Sequence, residues 1–422
     1  MEDIRIIINQ LGPIRNSVLE LKPFMVFSGE SGLGKSYAAF LVHYLYLLCT
    51  KSDRLVSFFD DKIPMVKEAL RKPETDKVIL RISTIELLEW INKDAIRYLS
   101  YLIGNRYFTG DVRFEIPFNR ESFSFEYHTI ARTVTGEASN TNYVIALYNH
   151  GLEISSIGAI TSKNFAWLFS SFLYDSIWGY AQRERTYLMP PSRGSLVELK
   201  AIPNFQSGMY IEFMEDKDKL NRAMPVPYTI PEHLAQSLYA INNGTIFELG
   251  GDLWYKTGDV TIPLTAAASS VKELAPLTLY LQKYELQGSS ILFEEPEAHL
   301  HPARQIKVAD LLGCMLGEGC HIQLTTHSDY FLKRLNNLMM LFRLKEKYAE
   351  AYHAISEEYD VKEYNLINPA SVNAYVMEKG EDGYTQIRKQ EITEEGIPYD
   401  SFHKVIIDDI KMSQKLRDAF KK

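Results

Sequence analysis

The chain has 422 residues, 46% hydrophobic and 24% charged, a composition that suits a globular protein large enough for two or three structural lobes. Its net charge of −8 excludes a protein that coats nucleic acid by bulk electrostatics, while leaving room for a local basic groove. The acidic start Met1-Glu2-Asp3 reads as no signal peptide, the longest apolar run (Tyr37 to Cys49) is too short for a membrane span, and Cys49, Cys314 and Cys320 lack metal-ligand spacing, so the expected location is cytoplasmic with no membrane partner.

Three strand-like runs come first, Ile4 to Ile8, Val18 to Leu21 and Phe24 to Phe27, separated by Gly12-Pro13 and Pro23. The first two are expected to form an antiparallel sheet that leans against the site formed next. That site is Gly29-Glu30-Ser31-Gly32-Leu33-Gly34-Lys35-Ser36, which fits G-x-x-x-x-G-K-[ST] between a short buried strand and a helix from Tyr37 to Leu48. The glycines let the backbone aim successive N–H groups into a concavity that the helix N-terminus also faces. Lys35 is expected to reach the β- and γ-phosphates of a nucleotide and the Ser36 hydroxyl to bind Mg²⁺.

Residues 51–94 are mixed and charged, with helical spacing from Glu86 to Leu102. Alternation from Val112 to Tyr127 predicts half-buried strands joined by a turn at Asn119-Arg120. The aromatic-rich stretch Leu152 to Gly179, with Trp167 and Trp178, predicts a helix whose aromatics pack a core. Arg193 follows Leu188-Met189-Pro190-Pro191-Ser192 in a loop at a strand tip, where it is expected either to face the nucleotide or to sit in solvent. Residues 205–245 are helix-prone, and Ile246 to Tyr255 and Val260 to Leu264 read as strands around the Gly250-Gly251 and Gly258 turns.

Ser290 to Phe293 is an apolar strand running into Glu294, Glu295 and Glu297, with Pro296 ending the ladder. Adjacent acids at the end of a buried strand require a compensating cation, because unpaired carboxylates are costly to desolvate. Glu294 is therefore read as a support for Mg²⁺ and Glu295 as the group that polarises the attacking water. His299 and His301 do not share a helix face and are not read as a metal pair. A second apolar strand, His321 to Leu324, ends at Thr325-Thr326-His327-Ser328, placing His327 as a γ-phosphate contact.

A phosphate loop, a strand into Glu-Glu-Pro-Glu-Ala-His-Leu-His-Pro and a strand into Thr-Thr-His-Ser together resemble the ATP-binding-cassette ATPases, within them the RecF/SMC/overcoming-lysogenization-defect branch. Gln10 to Ile14 and Leu188 to Arg193 also resemble the ATPase subunits of bacterial anti-phage systems such as PARIS and Septu. The resemblance implies an α/β fold, an ATPase head with a mixed, largely parallel sheet, an antiparallel β-lobe and a helical lobe. It implies ATP and Mg²⁺ as cofactors, Glu295 as the hydrolytic glutamate and His327 as the switch histidine. It also places the signature motif at Thr265 to Glu273, so that Ser269 and Ser270 of one protomer would contact the nucleotide of another in an ATP-sandwiched homodimer. Val271 stands where glycine is usual and Glu294 where aspartate is usual, which puts the hydrolysis rate in question more than ATP binding. Expected boundaries are 1–50 and 185–335 for the two parts of the head, 51–184 for an inserted region and 336–422 for a C-terminal extension. In that extension a helix is read at Leu341 to Tyr359, a hairpin at Ala374 to Arg388 and a helix at Phe402 to Phe420. No nuclease chemistry is read in the extension, so an effector (nuclease, TOPRIM or HNH type) is expected in a separate chain. A RecF-like repair clamp that binds DNA, and a nucleotide-gated scaffold with little hydrolysis, stand as the alternatives.

Overall fold

A computed structural model describes residues 4–71, 77–135, 138–155, 159–179, 185–222 and 228–420. The acidic start Met1-Glu2-Asp3 lies outside them. The architecture is mixed α/β, organised on one nine-stranded sheet. We number its strands in chain order: β1 Arg5–Leu11, β2 Ile14–Glu20, β3 Phe24–Gly29, β4 Gly110–Glu115, β5 Thr186–Met189, β6 Ser290–Glu294, β7 His321–Thr325, β8 Val372–Lys379 and β9 Thr385–Gln390. Their order across the sheet is β4-β1-β2-β9-β8-β3-β7-β6-β5.

The half that carries the site, β8-β3-β7-β6-β5, is wholly parallel. Parallel strands are covered on both faces, which is why they read as largely apolar runs. In β3, Met25 and Phe27 enter a core shared with the helices Lys35–Thr50 (α1), Thr84–Ile103 and Ser162–Trp178. Phe24 and Val26 enter the opposite core, with the helices Ser269–Lys283 (α2), Pro302–Gly317 (α3) and Asp329–Lys347. Four strands, Lys77–Ser83, Ser122–Thr135, Ala138–Leu147 and His150–Ile154, form a separate antiparallel sheet, and Thr245–Leu249, Asp252–Thr257 and Val260–Pro263 form a smaller one.

Several expectations change once pairing is visible. β1 and β2 do not form a sheet of their own; they are the antiparallel wing of the central sheet, joined through β9. The strands expected on either side of Asn119-Arg120 exist but do not pair with each other: Gly110–Glu115 completes the central sheet against β1, and Ser122–Thr135 pairs with Lys77–Ser83. Alternation reports a half-buried face and carries no information about the partner strand. The single helix expected over Leu341 to Tyr359 is two, broken at Tyr348, where φ −143° and ψ 72° leave the helical region. Within Ser162–Trp178, Phe165, Phe169, Phe172 and Trp178 are core residues as expected, whereas Trp167 is 44% exposed. The hairpin β8–β9 was expected, but its position was not: β8 pairs directly with the phosphate-loop strand β3.

The helix Thr84–Ile103 is locked to α1 through Asp94. Its carboxylate accepts from Arg54 Nε (2.9 Å) and Nη2 (2.7 Å) and from Tyr44 Oη (3.0 Å), and Asp94 is only 5% exposed. Asp94→Ala would leave the guanidinium without its carboxylate. We expect a loss of roughly 2–4 kcal/mol in urea unfolding, below the range for fully buried pairs because Arg54 keeps some solvent contact.

Candidate functional site

The site forms where the parallel strands end, the position at which open α/β sheets collect ligands. β3 runs into the phosphate loop, β6 into the acidic segment and β7 into Thr326-His327. The register Val26↔Leu324 and Phe27↔Thr325, continued by a bond from Thr326 N to Phe27 O (3.0 Å), delivers His327 beside the loop.

The loop is constrained by close packing. Gly29, Gly32 and Gly34 have φ of +124°, +80° and +94°, a region L side chains rarely occupy. A Cβ on Gly29 would stand 2.6 Å from Met377 O on β8, so the C-terminal hairpin leaves no room for any other residue there. Ser31 Oγ stands 3.5 Å from His327 Nε2, while Glu30 and Leu33 lie along the loop. Lys35 is buried; its Nζ donates to Gly29 O (2.9 Å) and Glu30 O (2.8 Å) and lies 3.4 Å from His327 Nδ1. Burial holds the ammonium below its ordinary value, opposed by the charges of Glu295, Glu297 and Glu294.

On the acidic side, Glu295 Oε1 is 3.2 Å from His327 Nε2. An ammonium can only donate, so Nδ1 accepts from Lys35 and Nε2 carries the proton given to Glu295. That hydrogen bond, more than any other influence, lowers the Glu295 pKa. Glu295 has φ +44°, the left-handed region, and its N–H donates to Thr325 O (3.1 Å) and Thr325 Oγ1 (3.2 Å). Glu294 points the other way, into the interior: it is 3% exposed, its carboxylate is hydrogen-bonded to Ser36, and burial raises its pKa to about 7. A buried carboxylate beside a Ser hydroxyl is a donor set suited to Mg²⁺, which takes one or two protein oxygens and completes its shell with phosphate and water. Among the described residues no three His, Cys, Asp or Glu side chains group as a metal site.

Glu297 was read only as part of the acidic cluster, and its geometry gives it a separate task. Its Oε1 accepts from His327 N (2.6 Å) and Thr326 Oγ1 (2.8 Å), orienting the histidine, while Oε2 is buried with no hydrogen-bond partner. Its spacing, two beyond Glu295, was the available signal.

Arg193 departs from both readings of it. It begins a short helix, Arg193–Val197, and has no exposure, so it neither lies in solvent nor opens onto the loop concavity. The guanidinium donates to Glu273 O, Pro190 O and Glu294 O, each at 3.0 Å, and burial lowers its pKa to about 10. Ser269 and Ser270 open α2, with Ser269 exposed and Ser270 Oγ accepting from Arg304 Nη1 (3.0 Å). Val271 is buried in the small core under the three-stranded sheet. His301 caps α3, accepting at Nδ1 from Ala303 N, and His299 Nε2 stands 4.0 Å from Glu273 Oε1.

Residues 198–332, about a third of the chain, match a family model described as an AAA ATPase domain. The matched segment holds Glu294, Glu295 and His327, and the phosphate loop lies outside it. No curated protein matches the chain. Among solved structures it is similar to an SMC head bound to the C-winged helix domain of ScpA (13% identity, TM-score 0.38, covering 93% of this chain and 98% of that one). A second is an SMC head with an extended coiled coil bound to the C-terminal domain of ScpA, derived from Pyrococcus furiosus (12%, 0.39, 99% and 99%). A third is the SMC head domain from Thermotoga maritima (9%, 0.33, 92% and 98%). The chemistry therefore rests on the site residues and the matched segment, which together support a nucleotide-binding ATPase.

Glu294 gives the site a pH signature. Unfolded, it ionises near 4.5; folded, it keeps its proton to about 7. Between those values the folded chain binds more proton than the unfolded one, so its contribution falls as pH rises, by on the order of 3 kcal/mol in all. Urea unfolding at pH 5 and 7.5 without divalent cations should show this loss in the parent and not in Glu294→Gln. A second check is Gly29→Ala, expected to cost about 2 kcal/mol or more in the same assay from the Met377 clash and the positive φ.

Proposed function

We propose that the chain is an ATP-binding-cassette-type ATPase in which Lys35, Ser36, Glu294, Glu295 and His327 act on one bound ATP–Mg²⁺. The observation that carries this reading is the meeting of Lys35, His327 and Glu295 within 3.4 Å contacts at the mouth of a phosphate loop, from three strands far apart in sequence. In this reading the N–H groups of residues 29–36 hold the phosphates and Lys35 leaves its loop carbonyls for phosphate oxygens. Ser36 and Glu294 hold Mg²⁺, whose positive charge supplies the electrostatic stabilisation of the transferring phosphoryl group. Glu295, ionised at neutral pH and turned away from the strand by its positive φ, accepts the hydrogen bond of the attacking water. His327, steadied by Glu297, donates to the γ-phosphate.

The reading extends to a homodimer in which the exposed Ser269 and the half-buried Ser270 close over the partner's nucleotide. Residues 1–50 and 185–335 carry the head, while 51–184 and 336–422 lend it β4, β8 and β9. We further infer a cytoplasmic sensor or scaffold subunit of an anti-phage system that restrains a separate effector. Its support is the resemblance of the Gln10–Ile14 and Leu188–Arg193 segments. No described helix is long and apolar enough to cross a membrane.

Lys35→Ala should weaken ATP binding by about a hundredfold or more in titration calorimetry, since a buried cation is removed from the phosphates. Glu295→Gln should keep binding but lower kcat on the order of a hundredfold, and ATP should shift it to dimer in analytical ultracentrifugation. Turnover at the parental rate in Glu295→Gln would overturn its role. For the biological role, tagged Glu295→Gln with ATP should recover from its native host a stoichiometric protein with nuclease or other toxic activity. Recovery of DNA with repair factors instead would favour a DNA clamp.

A further inference from the structure

The first turns of α2 are fastened at three points, to α3, to the turn that leads into it and to the end of β6. Arg304 Nη1 donates to Ser270 Oγ, His299 Nε2 approaches Glu273 Oε1, and Arg193 bridges the Glu273 carbonyl and the Glu294 carbonyl. The third is the telling one. The carbonyl that Arg193 holds belongs to the Glu294–Glu295 peptide, and the N–H of that same peptide is held by Thr325, so the plane from which Glu295 departs at φ +44° is clamped on both sides. Phe293 lies under the guanidinium, 4.4 Å from its centre, which leaves Arg193 little freedom to move without the strand.

The pair is also incompletely matched. Arg193 Nη2 and Glu273 Oε2 are both buried without a hydrogen-bond partner, and Arg193 Nε stands 3.8 Å from Glu273 Oε2. A buried donor and a buried acceptor left unmade each cost free energy; the Nε proton is already given to the Glu273 carbonyl, so a shift of the Glu273 carboxylate that brings Oε2 onto Nη2 would satisfy both atoms at once. There is no slack on the other side: a Cβ on Gly194 would lie 2.9 Å from both Glu273 N and Glu273 Oε1. Displacement of α2 therefore reaches the short helix Arg193–Val197 and the end of β6 directly.

Resting on the ATPase reading above, we propose that Arg193 and Glu273 are positioning residues that carry movement of α2 to the catalytic segment. A nucleotide presented at Ser269 and Ser270 by a second copy of the chain draws Glu273 onto Arg193, and Arg193, through the Glu294 carbonyl, sets the angle of Glu295. Hydrolysis at one site is thereby conditional on occupancy of the other.

The test is steady-state ATP hydrolysis by the full chain with Glu273→Gln, which keeps the side-chain shape. We expect kcat to fall about tenfold with half-saturating ATP within about twofold of the parent, and the Hill coefficient to fall from above one to one. ATP binding, and ATP-dependent dimerisation in a Glu295→Gln background, should persist. Should Glu273→Gln melt early, Arg193→Met/Glu273→Leu removes both charges together, a replacement that buried pairs often tolerate, and the same split is expected. Parental kcat and cooperativity in these variants would overturn the proposal, as would loss of ATP binding, which would make the pair a part of the cradle. A parental chain that binds ATP without hydrolysing it would instead overturn the ATPase reading, and this proposal with it.

Discussion

The parallel pairing of β3, β7 and β6 is the constraint from which the site follows. Each strand is buried on both faces, so its interior positions are mostly apolar, Gln323 of β7 being a buried exception, and the charged side chains collect where the ladder stops. Because the three strands run in the same direction, they stop on the same side. Residues separated by almost three hundred positions, Lys35 and His327, then meet at hydrogen-bonding range without either being selected by local structure.

That convergence concentrates charge in a poorly solvated place. Lys35, Arg193, Glu273, Glu294 and Glu297 are all buried or nearly so, and the two signs are interleaved so that each has an opposite neighbour. The compensation is incomplete: Glu294 holds its proton to about 7, and Arg193, Glu273 and Glu297 each keep one polar atom without a partner. Apolar residues of similar volume would pack this region at lower cost. Retained buried charge with unmade hydrogen bonds is the feature on which the proposed Mg²⁺ binding by Glu294 and the proposed coupling through Arg193 rest.

The sheet also explains why the ends of the chain serve the middle. β8 lies against β3 closely enough that Met377 dictates glycine at position 29, and β9 carries the β1–β2 wing. The segment between α1 and β5 contributes β4 and the helix anchored through Asp94, so the phosphate-loop helix is held from a segment whose sequence carries no motif of its own.

What the sequence determined by itself was the local chemistry: the G-x-x-x-x-G-K-S loop between strand and helix, the carboxylates at the end of an apolar strand, and His327 at the end of another. These are legible because each depends on a few adjacent residues whose backbone conformation and polarity are set locally. The mixed α/β class followed from the same alternation of apolar strands and helices. What only the tertiary structure decided was pairing and burial. Alternation from Val112 to Tyr127 predicted strands on either side of Asn119-Arg120 but could not say that they belong to different sheets, since a period of two is the same whatever the partner. Arg193 looked like a loop residue because Pro190, Pro191 and Gly194 surround it, yet two carbonyls from distant segments, of Glu273 and Glu294, join that of Pro190 to enclose it, and Glu297 gained its hold on His327 the same way. Such contacts are fixed by which strands lie side by side, a property that no window of sequence contains.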